Sequence, residues 1–249
     1  MTKSYKDQTF MMGLEARPLR ILAEYLEPRD RLQRYQVRRS IIFFGSARIQ
    51  PNQPDPVADS IDYYAEARAL SARIAQWTTE QHEEPDRYHI CTGGGPGIME
   101  AANRGAHDVN PDLSMGYNIS LPHEQSSNAY ISEKLNFDFH YFFMRKFWFM
   151  YVAHGLIVFP GGFGTMDELF ETLTLIQTEK QAPIPIILFG KKFWERLIDF
   201  DLFEEMGLIS KSDRDLFHMV ETVDEAFDVM RDALERDMAE NSNREFPKS

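Results

Sequence analysis

Three glycine-bearing turns carry the residues of this 249-residue chain whose types and spacing could do chemistry: Gly45-Ser46-Ala47-Arg48, Gly93-Gly94-Gly95-Pro96-Gly97 and Pro160-Gly161-Gly162-Phe163-Gly164-Thr165. Each follows a short apolar run that reads as a buried strand, and the last two each precede a helix-forming stretch. Glycine lets backbone amides approach an anion with no Cβ in the way. A helix starting there adds unbonded N–H groups and a partial positive charge, so such a turn holds a phosphate without lysine. A single turn of this kind is equally a tight strand-to-helix connection. Two glycine clusters in one small domain favour a nucleotide-sized ligand. Neither cluster runs on into Gly-Lys-Ser or Gly-Lys-Thr, so neither is a Walker loop. The 93–97 segment also lacks dinucleotide spacing, and no acidic ribose-binding residue can be assigned, which argues against NAD.

Two charged groups stand beside these turns. Thr165-Met166-Asp167-Glu168 has the form of a capping box, in which the Glu168 carboxylate reaches back to the Thr165 amide. That is the simpler reading. The alternative puts phosphate at the helix start and leaves Glu168 free to face a sugar. A carboxylate beside a phosphate is electrostatically costly, and is tolerable where it serves chemistry further along the ligand. Arg145 and Lys146 sit in an aromatic run with Phe139, Tyr141, Phe142, Phe143, Phe147, Trp148, Phe149 and Tyr151. Charges there need partners. Either they snorkel into salt bridges, or Arg145 leaves the core at a cleft to hold an anion or stack on a base. The run itself reads as core or subunit interface.

The elements that must position these groups alternate along the chain. Strands are expected at 41–44, 88–92, 114–120, 137–142, 155–159 and 184–189. Helices are expected at 58–79, 98–107, 143–153, 165–178, from 193 onward and at 223–238. That order predicts an α/β fold, a mainly parallel sheet with helices on both faces. Ligands of such a sheet collect at the carboxyl ends of its strands. One domain, 40–239, is expected, preceded by an N-terminal helical arm, 1–39, and followed by a frayed tail, 240–249. The arm's amphipathic helix, from Arg17 to Leu26, is expected to stop at Pro28. Arg29, Arg31, Arg34, Arg38 and Arg39 form a basic patch, read as a solvated face paired with the acidic surplus; the alternative is an intersubunit or polyanion contact.

Composition bounds the function. Lys and Arg number 27 against 39 Asp and Glu, a net charge of −12. That balance opposes non-specific binding to nucleic acid or an anionic membrane, but not binding of a small phosphate ester by a local nest of amides. The lone cysteine, Cys91, excludes an intrachain disulfide and a cysteine zinc cluster. The N-terminus has no apolar signal region. The most apolar stretch, 137–152, is broken by Asp138, His140, Arg145 and Lys146 and is too polar for a membrane span. A reducing, cytoplasmic setting is expected.

Three segments together are more specific than any alone: Gly93-Gly94-Gly95-Pro96-Gly97-Ile98-Met99-Glu100-Ala101-Ala102, Met144-Arg145-Lys146, and Pro160-Gly161-Gly162-Phe163-Gly164-Thr165-Met166-Asp167-Glu168. This set resembles the LONELY GUY family, often labelled lysine-decarboxylase-like. Its hallmark, Pro-Gly-Gly-x-Gly-Thr-x-x-Glu, is matched at every fixed position, and the resemblance covers roughly residues 40 to 230. It implies a Rossmann-like three-layer sandwich that is dimeric or a higher homo-oligomer. It also implies a phosphoribohydrolase that cleaves the N-glycosidic bond of AMP or an N6-modified AMP, with no metal and no organic cofactor. The implied catalytic pair is Arg145 and Glu168. The implied phosphate loop is Gly161, Gly162, Gly164 and Thr165. Gly94, Gly95, Gly97 and Met99 would line the nucleotide pocket, with Ser46 and Lys146 as further substrate contacts. The decarboxylase label fits poorly, since a pyridoxal enzyme needs a Schiff-base lysine. The nearest candidate, Lys146, shows no acidic partner in the sequence.

In this reading Glu168 stabilises an oxocarbenium-like state and orients water, and Arg145 positions the nucleotide or helps the base depart. Two rivals keep the same turns: a carrier or sensor that binds a nucleotide or cofactor unchanged, and a ribosyl-transferring enzyme in which another base replaces water.

Overall fold

A computed structural model describes residues 2–53, 61–119 and 127–240. The first half runs α1 (Gln8–Met12), α2 (Arg17–Arg34), β1 (Arg39–Phe44), α3 (Tyr63–Gln81), β2 (Tyr88–Thr92), α4 (Ile98–Val109) and β3 (Ser114–Ile119). Then come β4 (Asn136–Phe139), α5 (Phe142–Tyr151), β5 (Ala153–Val158) and α6 (Phe163–Gln177). The chain closes with β6 (Ile186–Phe189), α7 (Lys191–Leu197), α8 (Phe200–Glu205), β7 (Phe217–Val220) and α9 (Val223–Glu240).

The strands form one seven-stranded sheet in the order β4-β3-β2-β1-β5-β6-β7, and every neighbouring pair is parallel. Parallel strands covered on both faces need continuous apolar runs, which is what Ile41-Ile42-Phe43-Phe44 supplies. Ile41 and Phe43 join the core beneath α3, α4 and α9. Ile42 and Phe44 join the opposite core, beneath α2, α5, α6 and α7. The result is the expected Rossmann-like α/β sandwich. Strand order reverses between β1 and β5, and in open parallel sheets the crevice for ligands opens at that switch, beyond the carboxyl ends.

The arm departs from expectation. Helix α2 does not stop at Pro28 but runs through it to Arg34. Proline at 28 deprives the Glu24 carbonyl of its intrahelical donor. The indole N–H of buried Trp148 supplies one instead, donating to Glu24 O at 2.8 Å. The Glu24 carboxylate meanwhile accepts from the amides of His140 and Tyr141 at 2.9 and 3.2 Å. The helix survives its proline because α5 completes it. In the basic patch, Arg31 and Arg34 pair with Glu27 and Asp30 one turn back. Arg39, buried in β1, pairs with Asp86. These are the paired charges of the simpler reading.

β4 ends at Phe139, earlier than expected, because the Met144 and Arg145 amides bond to Tyr141 O and start α5. The short elements α1, α8 and β7 have no counterpart in the sequence reading. The tail residues 241–249, and Ser120 of the expected third strand, lie outside the described residues.

Candidate functional site

The three glycine turns meet at the switch between β1 and β5. The Ser46 amide donates to Pro160 O at 3.0 Å, and Ser46 O accepts from the Ile98 amide at 3.1 Å, tying the turn after β1 to both others. Gly97 has φ 70°, and a Cβ there would sit 2.3 Å from Ser46 O. Only glycine allows α4 to start so close to β1. The Ser46 hydroxyl stays local, accepting from the Arg48 amide at 3.1 Å.

Beneath the 93–97 turn lies a buried amide network that sequence reasoning missed. Asn103, fully buried on α4, accepts from Thr92 Oγ1 at 2.6 Å. It donates to Ser114 Oγ and Met115 O, both at 3.0 Å. Asn128 Nδ2 lies 3.0 Å from Asn103 Oδ1, 3.2 Å from Gly94 O and 3.1 Å from Gly95 O. The Gly94 amide donates to Thr92 Oγ1. The available signal was one asparagine on the small-residue face of α4, among Ala101, Ala102, Gly105 and Ala106.

Around 160–165 the backbone is open on one side. Helix α6 starts at Phe163 with Gly162 as N-cap and no side-chain cap. A Cβ on Gly161 would collide with Thr165 Oγ1 at 2.1 Å, whereas one on Gly162 or Gly164 would meet nothing within 4 Å. The helix-start amides therefore face an open glycine surface, a geometry suited to an anion.

The expected capping box does not form. Because α6 begins at Phe163, Thr165 lies inside its first turn and Glu168 in its second, where its carboxyl is buried. Glu168 Oε1 has no hydrogen-bond partner among the described residues. Arg145 Nη2 lies 3.8 Å from it. Burial pushes the Glu168 carboxyl up to about 7, against the pull of Lys146 and Arg145 and with the help of Glu171 and Asp167.

The Arg145 guanidinium packs 4.6 Å from the Phe142 ring centroid and 5.7 Å from that of Phe149. Its Nη1 would lie 3.8 Å from a Cβ on Gly93, and Met99 Sδ 2.9 Å from the same point. Arg145 thus links the 93–97 turn to Glu168, with Met99 lying over Gly93 and Gly95. Lys146 turns elsewhere. It has the acidic partners the sequence did not reveal: Glu171 Oε2 at 2.5 Å and Asp167 Oδ2 at 2.8 Å.

A cleft of about 1080 Å³ opens at the amino-terminal ends of β1, β5, β6 and β7 and is lined by Arg39, Ala153, His154, Pro185 and His218, with Lys146 and Glu171 along its side. The glycine turns, Arg145 and Glu168 are absent from its walls. Among the described residues no helix is long and apolar enough to cross a membrane. No group of three His, Cys, Asp or Glu among them is placed to hold a metal ion.

Comparison with known proteins adds three findings. The family described as "Possible lysine decarboxylase" matches residues 99–230. Proteins of Escherichia coli strains K12 and O157:H7, each named "Pyrimidine/purine nucleotide 5'-monophosphate nucleosidase", are 30% identical over 153 residues, which is 57% of this chain and 33% of theirs. The chain therefore spans about a third of the length of these curated relatives. Among solved structures, the structural-genomics target TM1055 has a TM-score of 0.51 at 19% identity, over 78% of this chain and 99% of its own. The molybdenum cofactor binding protein of Rippkaea orientalis has a TM-score of 0.51 at 16% identity, over 79% and 98%. These two structures share the fold.

Proposed function

The chain belongs to the family described as "Possible lysine decarboxylase", and on that premise we propose that it hydrolyses the N-glycosidic bond of a purine nucleoside 5′-monophosphate, AMP or an N6-modified AMP, to free base and ribose 5-phosphate. One observation carries the reading: a buried carboxylate oxygen of Glu168 with no hydrogen-bond donor among the described residues, beside Arg145 and one turn into a helix whose glycine start is open. Glycosidic cleavage builds positive charge on the ribose. A carboxylate fixed in a dry site stabilises that charge and orients the attacking water. The Gly161–Thr165 amides would anchor the 5′-phosphate, so that binding at the remote end aligns the sugar. Arg145 would position the nucleotide. Gly94, Gly95, Gly97 and Met99 would line its other side, with Ser46 at the joint of the turns. The names of the curated relatives favour the same class of bond.

Decarboxylation has less support than the family's description suggests. A pyridoxal Schiff base requires a lysine that can shed its proton. Lys146 is held charged: burial works against the charge, but the hydrogen bonds its ammonium donates to Asp167 and Glu171 outweigh it and its pKa rises. The proposed reaction needs neither a metal nor an organic cofactor. A homodimer or higher homo-oligomer is part of the reading, supported by the exposed Phe142, Phe143 and Phe147 of α5.

Incubating the purified chain with AMP and a panel of other 5′-monophosphates, and separating products by chromatography, tests the proposal. Release of base and ribose 5-phosphate in equal amounts is expected. Intact nucleotides throughout would overturn it, and tight binding without cleavage would make the protein a carrier or sensor.

A further inference from the structure

We propose that Lys146 is a positioning residue for this site: it bridges α5 to α6 through Asp167 and Glu171 and so sets Arg145 against Glu168. The inference rests on the reading of Glu168 as the reacting carboxylate.

The geometry comes from two helices side by side. Successive helical residues diverge by about 100°, so Lys146 and Arg145 leave α5 in different directions. On α6, Asp167 and Glu171 share a face at i,i+4, and Glu168, three residues before Glu171, lies about 60° further round the helix. Lys146 Nζ closes on Glu171 at 2.5 Å and on Asp167 at 2.8 Å, whereas Arg145 stays 3.8 Å from Glu168. The tight contact between the helices is therefore made by the lysine, and the loose one is left to the proposed catalytic pair. The Lys146 side chain is 17% exposed, Glu171 33% and Asp167 52%, so the bond to Glu171 is the more shielded of the two and the bond to Asp167 is open to solvent screening.

The same arrangement controls charge. Among the described residues, the ionisable groups that act most on Glu168 are Lys146 and Arg145 from α5, and Glu171 and Asp167 from α6. Without Lys146, Asp167 and Glu171 would lose the ammonium that pairs them, within one turn of the Glu168 carboxylate. Burial is what raises the Glu168 carboxyl; of the two cations that oppose it, Lys146 acts more strongly than Arg145. With its ammonium already engaged by two carboxylates, Lys146 is better placed to act on Glu168 than to bind substrate itself.

The test uses the full chain as wild type, Lys146→Met and Lys146→Arg. Glutamate labelled with ¹³C at the side-chain carboxyl reports each titration by NMR, and Glu168→Gln identifies the Glu168 signal. In parallel, kcat and KM for AMP are measured from pH 5 to 9. In Lys146→Met the Glu168 titration and the acid limb of kcat should both move up by about one pH unit, which lowers kcat at pH 7 by about fivefold. KM should change less than about twofold, and Lys146→Arg should restore most of the shift. An unmoved Glu168 titration overturns the proposal, whether KM rises, as for a substrate contact, or only thermal stability falls, as for a structural brace. If wild type cleaves no nucleotide, the functional reading fails by itself and the NMR titration still decides the role of Lys146.

Discussion

Arg145 Nη2 stands 3.8 Å from Glu168 Oε1, an ion contact too long to be a hydrogen bond. The carboxylate oxygen is buried yet receives no donor from the described residues. Leaving such an atom unsatisfied costs about 1–3 kcal/mol or more. Proteins keep arrangements of this kind mainly where a ligand completes them or where chemistry needs the group unencumbered. The capping bond available three residues upstream would have satisfied Glu168, and the fold forgoes it by starting α6 at Phe163.

Replacing Glu168 with Gln keeps shape and removes charge. Equilibrium dialysis should find AMP binding within a few-fold of wild type. Base release should slow by roughly two decades or more, the scale of general base catalysis. Undiminished turnover would take Glu168 out of the mechanism.

Activity and stability should respond to pH in opposite directions. The Glu168 carboxyl titrates at about 7 in the fold, against an ordinary 4.5, because burial disfavours its charge. As the ionised form does the work, kcat should climb with pH through about 7 and then level off. The folded chain holds this proton more tightly than the unfolded chain. Its stabilising contribution is therefore complete below pH 4.5 and is lost as pH rises through 7. The upper bound is about 3 kcal/mol at ~1.4 kcal/mol per unit. Urea melts at pH 5 and pH 8 should show Glu168→Gln gaining on wild type only at the higher pH; a gain equal at both would contradict the assignment.

Arg145→Ala separates a functional arginine from a structural one. The guanidinium is stacked against Phe142 and Phe149 and only loosely engages Glu168. The variant should fold, with a thermal midpoint within a few degrees of wild type, while kcat/KM for AMP falls at least tenfold. A chain that fails to fold would make Arg145 a packing residue instead.

Much of this arrangement was legible in the sequence. β2 spans the expected residues because Tyr88–Thr92 is a compact apolar run cut off by glycines. The glycine turns were recognisable for the same reason. Other features were hidden because they depend on partners distant in sequence. Pro28 reads as a stop until Trp148 supplies the missing donor. Glu168 reads as a cap until α6 is seen to begin two residues before Thr165. Lys146 shows no partner until α6 is laid beside α5.

The glycines of the third turn should divide by what surrounds them. Gly162→Ala and Gly164→Ala place a methyl in open space, so both should fold normally and yet weaken AMP binding, because the methyl intrudes where the phosphate would approach the amides. Gly161→Ala drives a methyl into Thr165 and should lower the thermal midpoint as well. Titration calorimetry beside thermal melts distinguishes the two classes. Unaltered binding in both Gly162→Ala and Gly164→Ala would move the phosphate elsewhere.

The bond between Trp148 and Glu24 makes a prediction about the arm that is independent of any activity. Trp148→Phe deletes the indole donor and leaves the Glu24 carbonyl with neither that partner nor an intrahelical one, at a cost of about 1–3 kcal/mol beyond the lost packing. Pro28→Ala returns the amide that an uninterrupted helix would offer to the same carbonyl. In the double variant the new amide should take over, so the two substitutions together should cost less than the sum of their separate effects. Urea unfolding of the four chains gives the coupling directly. Strict additivity would mean that the indole does not replace the helix's own donor, and that α2 passes through its proline for some other reason.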